Sequence, residues 1–164
     1  MKSGFYRICP LAHADLNPPA KNGGDAVGYQ GRKACNTTNS LFIPDGQGIM
    51  LAMSTPQQGQ HHDLFQIREL FGEIYSLLKQ AGINLKGLFL NAGPGFDSAG
   101  FLAACDKEQI IGNVKENPGN SARQQQEPYQ SGSHVFDAQL YADRSVIEHA
   151  NAWLDGFKAL LARF

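Results

Sequence analysis

Charge is what this sequence has least of. Charged residues make up 18% of its 164 positions, against about 25% in an average soluble domain. Fourteen Lys and Arg nearly balance fifteen Asp and Glu, leaving a net charge of −1. Bulk charge therefore excludes a strongly basic nucleic-acid binder and an acidic disordered chain alike. Long apolar runs are missing as well. No window approaches the roughly 18–20 uninterrupted apolar residues of a membrane span, so no membrane partner is expected. Met1-Lys2-Ser3-Gly4-Phe5 has no apolar signal stretch. The three cysteines, Cys9, Cys35 and Cys105, are far apart and odd in number. They form neither a disulfide framework nor a metal knuckle, and they suit a reducing, cytoplasmic setting. P-loop, GxGxxG, HExxH and GxSxG motifs are all lacking.

What the chain has is enough apolar material, 42% of its residues, for one core. A single domain over 1–164 is expected. Phe5 to Cys9 reads as a short strand stopped by Pro10. Asp15 to Lys33 is dense in Pro, Gly, Asn and Lys and reads as loop, with a short strand at Val27 to Tyr29. Leu41 to Ile43 and Ile49 to Met53 flank Pro44-Asp45-Gly46, a hairpin signature. From Asp63 the period changes. Leu64, Ile67, Leu70, Phe71, Ile74, Leu77 and Leu78 line one face of a helix capped by Asp63 and ended at Gly82. Strands are expected at Leu85 to Leu90 and at Ile110 to Val114. Asp97 or Ser98 caps a helix between them that runs through Cys105. Residues 115–133, with Gln124-Gln125-Gln126, read as a mobile loop. A long helix from Ala138 to Phe164 closes the chain, with an apolar stripe through Leu140, Ile147, Ala150, Leu154, Phe157 and Leu161. Trp153 is expected to pack with that stripe against the sheet. This order predicts an α/β fold with a mixed sheet flanked by helices, compatible with a ribonuclease-H-like sheet and with several others.

Few residues stand out chemically. His61-His62-Asp63 puts three metal-ligand types together, but adjacent side chains diverge, and a capping Asp63 beside solvated histidines accounts for them as well. The cysteines read as bystander thiols. Lys21, Arg32 and Lys33 sit among glycines, in a loop able to meet phosphate or to remain a solvated turn. On the last helix Arg144 and Glu148 are spaced for an ion pair. Alternatively Glu148 faces inward as a metal-binding carboxylate with Arg144 ordering it. Two Mg²⁺ ions acting on a phosphodiester need converging hard oxygens, and Asp15, Asp97 and Glu148 are the available donors.

Three blocks carry a family resemblance. They are Pro19 to Lys33, Gly87 to Ala92 with Gly95-Phe96-Asp97-Ser98, and Tyr141 to Trp153 with Phe157 to Leu161 behind it. The third, Arg-x-x-Ile-Glu followed by Ala-x-Ala-Trp, is the most specific. In these blocks the chain resembles the catalytic core of a bacterial insertion-sequence DDE transposase. The resemblance implies a ribonuclease-H-like fold and metal-dependent DNA cleavage and strand transfer. It implies two Mg²⁺ or Mn²⁺ ions held by two Asp and one Glu, and transposon ends and target DNA as partners. A homodimer in the bacterial cytoplasm, on the nucleoid when bound to DNA, is implied with it. Glu148 matches the Glu. Asp15 is near the place of the first Asp, where the aligned position is Ala14. The second Asp position is Gly93, and Asp97 matches a different Asp downstream. The resemblance makes Glu148 and Asp15 the metal ligands, with Asp97 as the third catalytic candidate. It makes Lys21, Arg32 and Lys33 phosphate contacts, with Arg144 and Asn91 in support. Gly93, the divergent residues 1–14 and the missing N-terminal DNA-binding helices point to a truncated, degenerate copy, incomplete at its N-terminus. A catalytically dead DNA-binding remnant and an unrelated α/β metal-dependent phosphohydrolase are the alternatives.

Overall fold

The computed structural model describes residues 8–16, 26–119 and 136–156; within 8–16 only the Leu11 side chain is described, and on the last helix side chains are described to Leu154. At the centre of the sheet is β1 (Ile8–Leu16). It is antiparallel to β3 (Cys35–Pro44) on one side and parallel to β6 (Phe89–Ala92) on the other. β6 is in turn parallel to β7 (Ile111–Val114). Outside β3 lie β2 (Gly28–Gln30), β4 (Met50–Met53) and β5 (Gln57–Gln58), all antiparallel to it. The mixed sheet expected from the sequence is therefore present.

Its central strand differs from the expectation. Pro10 does not stop β1, which runs on to Leu16 and takes Asp15 out of the expected loop. The antiparallel register with β3 starts at Ala12, so the proline's missing N–H lies outside that ladder. The hairpin is confirmed. Asp45 Oδ1 accepts from the N–H groups of Gln47 at 2.8 Å and Ile49 at 2.9 Å, closing the turn between β3 and β4. β6 begins later than expected and includes Asn91 and Ala92, so the strand ends just before Gly93.

Helix α1 (Ile67–Gln80) buries Ile67, Leu70, Phe71, Ile74 and Leu78 and leaves Leu77 exposed. It ends as expected. Gly82 takes the left-handed conformation at φ +75°, its N–H bonds Lys79 O at 3.0 Å, and Ile83 N–H bonds Leu78 O at 2.9 Å. Its start is a correction. The N-cap is Gln66, with no side-chain cap bond, and Asp63 lies one turn earlier. Ser98, not Asp97, caps α2 (Ala99–Lys107), accepting from Phe101 N–H at 3.2 Å.

The long last helix is also corrected. It divides into α3 (Ala138–Ala142), a 3-10 turn (Asp143–Ser145) and α4 (Val146–Gly156). Phe157 and Leu161, like residues 120–133 of the expected loop, lie outside the described residues. Alternation along β3 separates two cores. Leu41 and Ile43 join α1 and α2 in the larger one. Phe42, between them, meets Ile147, Ala150 and Leu154 of α4. Trp153 is off that buried line and 70% exposed, contrary to the expected packing. Trp153→Ala is therefore expected to change the unfolding free energy by no more than about 0.5 kcal/mol in a urea melt.

Candidate active site

A cleft of about 690 Å³ opens beyond the carboxyl end of β6, with Leu11 of the neighbouring β1 in its lining, and α/β sheets commonly receive ligands at such strand ends. One wall is the 3-10 turn that follows β6, from Gly93 to Phe96, together with Arg144, Glu148 and Asn151. The other holds Gln30, Arg32, Asn39 and the segment from Gln60 to Asp63.

Gly93 is buried at the end of β6, with φ −67° and ψ 167°, an extended conformation open to any residue. A Cβ there would meet only the Arg144 Nη1, at 3.5 Å. The seat of a side chain is thus sterically intact and empty of an oxygen donor. Two residues on, Gly95 answers a different need. The Asp63 carboxylate occupies the place its Cβ would take. That contact accounts for Asp63, which the sequence reading assigned to a helix cap.

Arg144 lies 5.5 Å from the centre of the Tyr141 ring, a cation–π distance. The ion pair expected between Arg144 and Glu148 is not formed. The 3-10 turn is the reason, because its tighter step shifts Arg144 around the axis relative to Glu148. Glu148 is exposed and lines the cleft beside Asn151.

The remaining sequence candidates divide. Arg32, in the β2–β3 turn, lines the cleft; its neighbour Lys33 is exposed outside the lining. Lys21 lies outside the described residues. Asp15 stands opposite Asn39, a lining residue, in the β1–β3 register, and its side chain is not described. Asp97 is not brought to the cleft. It is buried, and its Oδ2 accepts from Asn117 N–H at 2.8 Å, tying the segment after β7 to the segment before α2. Asn91 is also buried and bonds to α3 instead of facing the cleft. Cys105 is buried in the larger core, and burial pushes its thiol well above the ordinary range, as suits a bystander.

Sequence reasoning missed Asn39, Gln30 and Gln60 as lining residues, and it placed His61 and His62 in solvent, where only His62 is exposed, although both line the cleft. His61 is half-buried and stacks on Phe65, ring centres 3.5 Å apart. His62 Nδ1 accepts from Leu64 N–H at 3.1 Å. The adjacent His-His-Asp ahead of α1 was the available signal for this wall.

A family model described as DDE superfamily endonuclease matches residues 12–164. The chain belongs to this family. No curated protein and no solved structure matches it. As a DDE superfamily endonuclease the chain has a ribonuclease-H-like fold, and the mixed sheet above is its core. DDE-type endonucleases act on DNA and use divalent metal ions. The described donors do not fit such ions. Among the described residues no three of His, Cys, Asp or Glu form a ligand group. A hard cation needs converging oxygens, and Gly93 supplies none where the strand end meets the cleft. No described helix is long and apolar enough to cross a membrane.

Proposed function

We propose that this DDE endonuclease domain is a single transposase core that grips DNA in the cleft and has lost the carboxylate on which strand cleavage depends. Transposon ends and target DNA are its partners in this reading. Gly93 supports it: the strand end, the facing Arg144 and Glu148 line one cleft, and position 93, where the resemblance expects an acidic residue, carries no side chain.

The chain's own residues suit a phosphodiester. The Arg144 guanidinium carries donors in a planar fork that matches two phosphate oxygens, with the Tyr141 ring beneath it. Arg32 on the opposite wall offers a second cation. Glu148 and Asp63 keep the cleft from being uniformly basic, which accords with a site that orients a backbone rather than one that holds DNA by bulk charge.

Plasmid nicking in Mg²⁺ or Mn²⁺, with duplex binding measured in parallel, tests this reading. The unaltered protein is expected to bind and to nick no faster than a blank. Gly93→Asp is expected to raise nicking by roughly tenfold or more, because an oxygen donor then faces the cleft. Adding Glu148→Gln to that variant should abolish the gain. Nicking by the unaltered protein that disappears with Glu148→Gln would overturn the proposed loss, and an inert Gly93→Asp variant would show that Gly93 is not the defect.

A further inference from the structure

We propose that Asn91 and Asn113 are positioning residues, whose buried amide pair sets the register of α3 and α4 against β6 and so places Arg144 over Gly93. The two stand opposite each other on β6 and β7, and both are fully buried. Asn113 Nδ2 donates to Asn91 Oδ1 at 2.8 Å and to Asp137 O at 3.0 Å. Asn113 Oδ1 accepts from Asp137 N–H at 2.9 Å, and Asn91 Nδ2 donates to Leu140 O at 2.6 Å. Each amide orientation is dictated by its partners, because Nδ2 faces carbonyl oxygens in both residues. Asp137 extends the chain of bonds by capping α3, its Oδ1 accepting from Gln139 and Leu140 N–H groups at 2.9 and 3.0 Å.

Arg144 follows Leu140 by one helical turn. The other anchor of this region, Phe42 against Ile147, Ala150 and Leu154, is apolar and has no directional preference. Directional bonds inside a low-dielectric core are satisfied at one register only, and a slide of the helix would break them together. The apolar cluster thus holds α4 to the sheet, and the asparagine pair determines where along the sheet it sits.

The inference rests on the DNA reading for its functional consequence, and the test separates the two. Affinity for a labelled DNA duplex is measured in EDTA by fluorescence anisotropy for the unaltered protein, Asn91→Leu, Arg144→Ala and the double variant. Asn91→Leu keeps the branched shape and the number of heavy atoms, and Leu140 O retains its bond from Asp143 N–H, so the variant is expected to fold. Asn91→Ser is the second variant. Both are expected to weaken binding by about tenfold and to lower the salt slope by about one, as loss of a phosphate contact does. The double variant should bind no more weakly than Arg144→Ala, since both changes remove the same contact. Hydrogen exchange should show protection lost in α3 and the 3-10 turn and kept in β1 and β3. Unchanged binding, or losses that multiply in the double variant, would overturn the positioning role. If the unaltered protein binds no duplex, the DNA reading falls, and the register claim then stands or falls on the hydrogen-exchange pattern.

Discussion

Phe42→Ala is expected to lower the unfolding free energy by about 3–5 kcal/mol and to release α4 from the sheet. Phe42 is fully buried near the carboxyl end of β3, paired to Ala12 of β1 on one side and Met53 of β4 on the other. The backbone cannot shift to fill the space its ring leaves. Its partners Ile147, Ala150 and Leu154 account for the whole buried stripe of α4 within the described residues. A domain stable by about 5–15 kcal/mol would lose a large share of its margin. Glu148 lies on that helix and Arg144 on the 3-10 turn that leads into it, so duplex binding should fall together with stability. Urea denaturation measures the first effect and anisotropy the second. Phe42→Leu, which refills most of the volume, should recover most of both. A loss below about 1 kcal/mol for Phe42→Ala would mean that the ring does not seat the helix.

Gly59→Ala is the second large effect, and it acts through the backbone. A Cβ at Gly59 would lie 2.6 Å from the Thr37 carbonyl oxygen and 2.8 Å from the carbonyl carbon. Neither atom can swing aside as a side chain would. Gly59 N–H also donates to that carbonyl at 3.0 Å, so the two strands meet there as closely as their hydrogen bond allows. The methyl group must force β5 from β3, at a cost of about 1–3 kcal/mol. The displaced segment continues into His61, His62 and Asp63, one wall of the cleft. Thermal melts should show the destabilisation, and duplex affinity should fall as that wall moves. Gly31→Ala, where a Cβ meets nothing within 4 Å, is the matched control and should leave both unchanged. Equal behaviour of the two variants would contradict the close approach at Thr37.

The parts of the fold legible in the sequence were those specified by neighbours along the chain. The Pro44-Asp45-Gly46 turn, the buried face of α1, its Gly82 terminus and the Ser98 cap each depend on residues within a few positions of one another. The start of β3 was not legible, because Thr37, Thr38, Asn39 and Ser40 are polar yet buried, and hydrophobic periodicity does not register such a strand. The partners β1, β2 and β5, which reach β3 from elsewhere in the chain, satisfy its buried main chain, and Thr38 Oγ1 and Asn39 Nδ2 donate to the carbonyl oxygens of Ala26 and Gly59. Pro10 misled for the same reason: a proline breaks an isolated strand, but here β6 pairs with β1 through Pro10 and the β3 ladder takes over from Ala12 onward.

The site divides along the same line. The Arg144-x-x-Ile147-Glu148 block and the glycine at position 93 are properties of the sequence alone. By itself the sequence determined the family, the helical segment that carries Glu148 and the glycine that follows β6. Tertiary structure decided that Arg144 faces Gly93 instead of pairing with Glu148, that Asp97 serves a backbone N–H away from the cleft, and that Asp63 packs on Gly95. Each of these joins residues from different elements, and distances between elements are set by packing, which no local spacing along the chain encodes.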